Sequence, residues 1–495
     1  MILCSARVLL ASCGFLVGVA LAAPSAPARP GSARVFRAGA ATSNITPPLG
    51  EGIVGNFEIP PATYVHDELH ARCLALDDGT TRLVFVVVDS VSVNREVFDA
   101  AKKRIHEATG IAPAQMMMSA THTHSATSSR GANPLNMRDS ADAAAAARAP
   151  LEPYQAFLTR RIADGVQRAL ANLEPARIGW GAGQVPQHVF NRRWLLKPGK
   201  SVVNPFGGQD HALMNPGSGR TDLDRPAGPV NPEACFISIE STGGRPIALL
   251  ANYWLHYVGG VPIGHISADY YGAFCDRLQQ LLGADRQDPP FVGILANGPC
   301  GDVNNINITA PAPKKFAPYE KLRLVADDVA REVLRVRATI PHRDWVELRA
   351  AQTELALKTR RPDAELVAWA RQVLARPATT SPVHRHERAY AERTLAAANW
   401  PESLSVILQA VRIGELGIAA VPFEMFTETG LEIKAKSPFR ETFTIELANG
   451  GYGYLPTPEQ HEVGGYETWL GTNRVEREAS RKIVIAVQEL FARLK

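Results

Sequence analysis

Between Arg82 and Asp89 the run Arg82-Leu83-Val84-Phe85-Val86-Val87-Val88-Asp89 is continuously apolar and closes on an acid. That is the pattern of a strand buried on both faces. Arg95 to Thr109 follows with helical spacing and stops before Gly110, a residue suited to the position after a helix. Gln115-Met116-Met117-Met118-Ser119-Ala120 then reads as a second buried strand. Strand, helix, strand in this order predicts two parallel strands bridged by a crossover helix. The expected class is α/β, with mixed, largely parallel sheets covered by helices. Working outward, further strands are expected at 234–240, 247–253, 291–297, 405–413 and 416–421, and helices at 154–172, 268–283, 318–338 and 474–494. Residues 186–232, rich in Gly, Pro and Asn, read as a long ordered loop, a feature that inside a domain usually serves function. Residues 361–402 read as an inserted helical pair, and 141–148 as a low-complexity surface helix.

The composition sets bounds on the rest. The 495 residues are 45% hydrophobic and 21% charged, a globular profile rather than a disordered one. The formal charge is +4, from 53 basic and 49 acidic residues. Phosphate binding needs clustered Lys and Arg, so no nucleic-acid partner is expected. The densest basic stretch, His384-Arg385-His386-Glu387-Arg388, carries its own acid and reads as a solvated helix face.

Residues 1–23 read as a secretory signal: Arg7 precedes an apolar run over 8–21, and Ala20-Leu21-Ala22 supplies a small-x-small cleavage site near Ala22/Ala23. A secreted or periplasmic location follows. Leu10-Ala11-Ser12-Cys13 is a rival lipoprotein box, disfavoured because only Val8-Leu9-Leu10 stand before it as an apolar core. Residues 24–34 would form a flexible leader and 35–495 the catalytic domain. Cys73, Cys235, Cys275 and Cys300 are too scattered for a disulfide scaffold, and no C-x-x-C pair offers a cysteine metal site.

The chemistry-bearing residues fall at strand ends or in the loops that follow. In Ala120-Thr121-His122-Thr123-His124-Ser125 a buried strand runs into His-x-His, and residues two apart in an extended segment face the same side. Both imidazoles could then ligate a metal, or both could be satisfied by backbone carbonyls. Asn252-Tyr253-Trp254-Leu255-His256 places a histidine after another apolar strand, where the bland reading is a core histidine. Pro422-Phe423-Glu424 puts an acid after the strand 416–421, and Asn449-Gly450-Gly451-Tyr452-Gly453-Tyr454 is a Gly/Tyr-rich loop.

Taken together, these segments resemble the catalytic domain of the neutral/alkaline (non-lysosomal) ceramidases. The resemblance runs from about Ala38-Gly39-Ala40 and Asn44-Ile45-Thr46-Pro47 to the C-terminal helix. It rests on His122–Ser125, on His256 with Ser267-Ala268-Asp269, on Gly301-Asp302-Val303, on Pro422, Glu424 and Thr427, and on Tyr454 through Tyr466-Glu467, in the family's order. It implies one zinc ion held by His122, His256, Glu424 and Tyr454, with Tyr454 alternatively a hydrogen-bond donor. It also implies contacts to the scissile group from His124, Arg192 and Tyr466, and proton transfer by His124 or Asp302. The implied substrate is a small molecule or lipid with an N-acyl amide bond, cleaved by metal-activated water, with transient contact at a membrane surface.

Two departures qualify the substrate. The family pattern Gly-Asp-Val-Ser-Pro-Asn reads Gly301-Asp302-Val303-Asn304-Asn305-Ile306 here. Asn304 can donate a hydrogen bond to an oxyanion but cannot serve as a nucleophile. No strand-rich segment follows 474–494, so the family's immunoglobulin-like domain is not expected. The alternatives are a zinc hydrolase of another ester or amide, and a catalytically inactive binding protein of the same fold.

Overall fold

The computed structural model describes residues 34–55, 58–127, 129, 151–310, 314–377 and 379–495. The signal segment 1–23, nearly all of the leader 24–34 and the 141–148 run lie outside these residues. The strands of the larger sheet are β1 (Arg37–Asn44), β2 (His70–Asp77), β3 (Arg82–Val88), β4 (Met116–Ala120), β5 (Glu174–Gln184), β6 (Glu233–Ser241), β7 (Pro246–Tyr253) and β8 (Val292–Asn297). They are ordered β8-β7-β6-β5-β1-β2-β3-β4. Helix α1 (Arg95–Thr109) crosses from β3 to β4, α2 (Pro153–Ala171) precedes β5, α3 (Asp269–Leu281) crosses from β7 to β8, and α4 (Glu320–Arg337) follows. The second sheet is β9 (Leu348–Lys358), β10 (Ser403–Ile413), β11 (Leu416–Ala420) and β12 (Glu441–Ile445), in that spatial order. Helices α5 (Ala364–Ala375) and α6 (Glu387–Ala397) are inserted between β9 and β10, α7 (Thr427–Lys436) crosses from β11 to β12, and α8 (Pro458–Val463) and α9 (Ala479–Leu494) close the chain.

The mixed α/β class holds, but within the two main sheets the parallel pairs are the β–α–β units β3/β4, β7/β8 and β11/β12. The pairs between them, β7-β6, β6-β5, β5-β1, β1-β2 and β2-β3, are antiparallel. This corrects the largely parallel expectation. Asp78 accepts backbone hydrogen bonds from Thr80 and Thr81 in the tight β2–β3 turn, and β6 returns into β7 through Thr242-Gly243-Gly244-Arg245. Connections that short can join only antiparallel neighbours.

Alternation along β3 shows the layering. Leu83, Phe85 and Val87 face Val411, Ile413, Ile418 and Phe443 of the second sheet, whereas Val84, Val86 and Val88 face α1 and α2. Helices α3 and α4 cover β6–β8, and α9 covers β10 and β11. Two sheets packed face to face between helical layers leave each inner strand buried on both sides, at roughly 1.5–3 kcal/mol per large apolar side chain. Backbone hydrogen bonds stitch the sheets together at one end. Beyond β12, Glu446 N donates to Asn297 O (3.0 Å), Ala120 N donates to Leu447 O (3.2 Å), and Asn449 N donates to Met118 O (2.7 Å). The carboxyl ends of β4, β7, β8, β11 and β12 therefore meet there, the place where open α/β sheets bind ligands.

The 186–232 segment is ordered and carries a small sheet of its own, Arg193–Leu196, Ala212–Met214 and Leu223–Pro226, with a short hairpin pairing Val202–Val203 and Gln209–Asp210. The His384–Arg388 stretch is a turn running into α6, with Glu387 buried. The solvated helix face expected there is not formed.

Candidate metal centre

The end of β4 delivers the first donor. Thr121 N donates to Val88 O and His122 N to Ser90 O, both at 2.9 Å, which holds the chain against the end of β3. His122 then adopts φ 74°, a left-handed conformation costing a non-glycine residue of order 1–3 kcal/mol, the kind of strain retained at functional sites. Its Nδ1–H donates to Val91 O at 2.7 Å, which leaves Nε2 with a free lone pair. The extended-strand argument for His-x-His thus fails at His122, yet the rings converge, with His124 Nε2 at 3.2 Å from His122 Nε2. From the end of β7, His256 brings its Nε2 to 3.0 Å from the same atom. Among the described residues, His122, His124 and His256 form a group whose ligating atoms all lie within 4.8 Å of one another. Burial, neighbouring imidazoles and Arg192 hold His124 and His256 well below the ordinary histidine pKa. They are neutral, the form that binds metal.

Glu424 supplies the anionic donor. It follows β11 and pairs directly with Tyr454 in a two-residue parallel ladder, Glu424–Met425 against Tyr454–Leu455. Its Oε2 is buried without a hydrogen bond of normal geometry and stands 3.4 Å from His122 Nε2. Burial raises its pKa, but His122, Tyr454 and Arg192 together pull it below the usual glutamate value, so the carboxylate is ionised. A Cβ on Gly301 would lie 2.5 Å from Glu424 O, so glycine is what allows the turn after β8 to pass this close.

These distances test whether one ion fits. Metal–nitrogen bonds of about 2.0–2.1 Å in a tetrahedron separate neighbouring donors by about 3.3 Å. The separations around His122 Nε2 are 3.0, 3.2 and 3.4 Å, to His256, His124 and Glu424. A single divalent cation suits donors so spaced: imidazole nitrogens and a carboxylate whose Oε2 is buried without a normal hydrogen bond. His124 Nε2 stands beside this group and also lines the cavity, which suits either of its sequence readings, metal ligand or contact to the scissile group.

Tyr454 is buried beside Glu424, and burial first, with Glu424 and Tyr466, raises its phenol well above the ordinary value although Arg192 opposes the shift. The Arg192 guanidinium lies 5.3 Å from the Tyr454 ring centre. Arg192 Nε donates to Glu467 Oε1 (2.9 Å) and Arg193 Nη1 to Glu467 Oε2 (2.5 Å), while Arg192 Nη2 is buried without a partner. Tyr466 opens the 3-10 turn Tyr466–Thr468, its ring 5.8 Å from that of Tyr454. His124, His256, Arg192, Tyr454 and Tyr466 all line one cavity of about 320 Å³.

Asp302 and Asn304 do not line it. Asp302 is fully buried: Oδ1 accepts from Thr427 N and Oγ1, both at 2.9 Å, and Oδ2 accepts from Asn191 Nδ2 at 2.7 Å. Asn304 Nδ2 donates to Asn215 Oδ1 at 2.5 Å, and its Oδ1 accepts from Ile306 N at 2.9 Å. Both side chains are engaged away from the cavity, Asp302 beside the chain carrying Arg192 and Asn304 behind the wall residue Asn215.

Several contributors went unread in the sequence. Tyr257 stacks on His124 at 3.7 Å with a 14° tilt, and its position next to His256 was a usable signal. Gly55 presses its backbone on the same ring, with φ 125°; nothing local marks it. Glu446 sits behind His256 and Glu424, and Glu467 binds both arginines.

No family model matches the chain, and no curated protein matches it. Solved structures do, among them two ceramidases. One is a neutral ceramidase from Pseudomonas aeruginosa, 17% identical with a TM-score of 0.67, covering 94% of this chain and 75% of that one. The other is a ceramidase complexed with C2, 15% identical with a TM-score of 0.65, covering 93% of this chain and 75% of that one. The fold is ceramidase-like. Across the ceramidase-like fold the likeness is one of architecture, and the donor cluster lies where the strand ends of both sheets meet.

Proposed function

We propose that this protein is an exported, zinc-dependent hydrolase of an N-acyl amide, of the kind the names of its structural neighbours suggest. One observation carries the reading: His122 brings its Nε2 close to both His256 and Glu424, and His256 lines the wall of a cavity together with His124, Arg192, Tyr454 and Tyr466. Zinc is the favoured ion because the donors are imidazole nitrogen and carboxylate oxygen, with room for Tyr454 as a fourth ligand or as a hydrogen-bond donor. Bound there, the ion would supply Lewis acidity, acidifying water and polarising a carbonyl.

The side chains divide the remaining work. Arg192 aims its unpartnered Nη2 at charge developing on the acyl oxygen, and Glu467 locks that guanidinium in place. Tyr466 offers a phenolic O–H on the same side. His124, neutral and braced by Tyr257, is the group placed to carry a proton to the leaving amine. Asp302 is a positioning residue and not a proton carrier, because three donors already engage its oxygens. Asn304 positions Asn215, so the chemistry uses water rather than a side-chain nucleophile at that point.

The test is hydrolysis of a panel of N-acyl sphingosines, other N-acyl amides and simple esters, before and after chelation and zinc readdition. Amide cleavage lost on chelation and restored by zinc supports the reading. A second reading, an ester or amide hydrolase without ceramide preference, is favoured by Asn304 in place of the family serine; comparable rates on non-lipid esters would select it. No turnover of any acyl compound by zinc-loaded protein would contradict both.

A further inference from the structure

The turn before α6 reaches back to the cavity: His384, Arg385 and His386 form part of its wall, on the side carried by the 361–402 insertion. The acid that neutralised this stretch on paper is absent from the cavity. Glu387 is buried, accepting from Arg376 Nη1 at 3.0 Å and from Val383 N at 3.3 Å. No carboxylate among the described residues pairs with Arg385, whose side chain is exposed. The flanking imidazoles are uncharged near neutrality, since burial and Arg385 lower both and bring His386 to about 4. His386 N donates to His384 Nδ1 at 3.1 Å, which makes Nε2 the protonated nitrogen of His384 and a donor.

The other charged groups of the wall are held in place. Arg192 shares Glu467 with Arg193, and Asp210 accepts from Trp469 Nε1 (2.7 Å) and Asn204 Nδ2 (3.1 Å). Opposite in chemistry stands an apolar strip that includes Val203, Leu213 and Met214. The insertion and the hairpin that carries Val203 brace each other, with the Phe206 ring 5.4 Å from Trp369 of α5 and 5.6 Å from Tyr390 of α6.

We infer that the cavity selects an amphipathic N-acyl amide bearing an anionic group, with Arg385 as the specificity-determining anchor for that group. The inference rests on the amide-hydrolase reading above and narrows its substrate class. An apolar chain suits the Val203–Met214 side, and a carboxylate or phosphate ester suits a guanidinium flanked by a neutral donor.

Matched pairs test it on the zinc-loaded full chain, with release of dodecanoate as the readout. One pair is an N-dodecanoyl amino acid against its carboxamide; the other is O-phosphorylated N-dodecanoyl ethanolamine against the unphosphorylated compound. Within at least one pair the anionic member is expected to have a kcat/KM higher by about tenfold or more. Arg385→Gln should bring that ratio close to one, and Arg385→Lys should restore part of it. The pair showing the preference identifies the anion as carboxylate or phosphate. A wild-type ratio at or below one in both pairs, or a ratio unmoved in Arg385→Gln, overturns the inference while leaving the hydrolase intact. If no amide is cleaved, the hydrolase reading fails instead, and calorimetric binding of the same compounds decides the anion: tighter binding of the anionic member, lost in Arg385→Gln, supports it, and equal affinity overturns it.

Discussion

The Cys300 thiol donates to Glu446 Oε1 at 3.0 Å, directly behind His256, whose Nδ1 lies 3.6 Å from the same sulfur. Glu446 also accepts from Met425 N (2.8 Å), Asn297 Nδ2 (3.1 Å) and Cys300 N (3.3 Å). One carboxyl group thus ties the turn after β8 to the residue next to Glu424. Glu446→Ala leaves these buried donors unpaired, at roughly 1–3 kcal/mol for each amide that finds no substitute. Urea denaturation should show a lower midpoint than for Glu446→Gln, which keeps one acceptor oxygen. Equal midpoints for wild type and Glu446→Ala would contradict this account.

Among the described residues, Glu467 is the carboxylate that ion-pairs with both Arg192 and Arg193, and Arg193 is fully buried. Removing one partner of a buried ion pair costs about 3–5 kcal/mol, because the remaining charge is stranded. Glu467→Ala should therefore destabilise the protein by that order and lower kcat through a loosened Arg192. Full stability in chemical denaturation would show that the pair does not matter to the fold.

How far the sequence could be read follows from where each signal lies. The strands β3 and β4 were legible because burial on both faces leaves a purely apolar run, and the β–α–β units followed from their order. The antiparallel centre was missed because its signals are the short turns at Asp78-Gly79 and Gly243-Gly244. That His122, His256 and Glu424 come together was legible because each lies close after the end of a strand. Asn304 and Asp302 were not, since their partners Asn215 and Thr427 are distant in the chain and already engage their polar atoms. The His384–Arg388 stretch was misread for the same reason: Arg376 removes Glu387 from it.

Burial raises the Asp302 carboxyl to about 6, against the backbone and hydroxyl donors of Thr427 that lower it. An unfolded aspartate titrates near about 3.9. The folded state thus holds its proton over a range in which the unfolded state has released it, so this group lowers stability as pH rises from about 4 to about 6. The loss is of order 2–3 kcal/mol, at about 1.4 kcal/mol per pH unit. Stability curves of wild type and Asp302→Asn should converge in slope above pH 6 and differ below it, with wild type falling more steeply between. Parallel curves throughout would count against a raised carboxyl.

A Cβ on Gly55 would lie 2.6 Å from His124 Cγ, on a backbone with φ 125°. Gly55→Ala should push the imidazole off its Tyr257 stack and reduce kcat by about tenfold or more, while His122, His256 and Glu424 keep the metal. Steady-state kinetics beside metal analysis would check this; unchanged kcat would mean that His124 carries no proton in the reaction.

If one ion sits among His122, His256 and Glu424, removing one of these donors must release it. Metal analysis of purified wild type and His256→Ala, each assayed for amide hydrolysis, tests it most directly. The expected result is about one zinc per chain in wild type, with both metal and activity lost in the variant. A His256→Ala protein that retains full zinc and full activity would contradict the account.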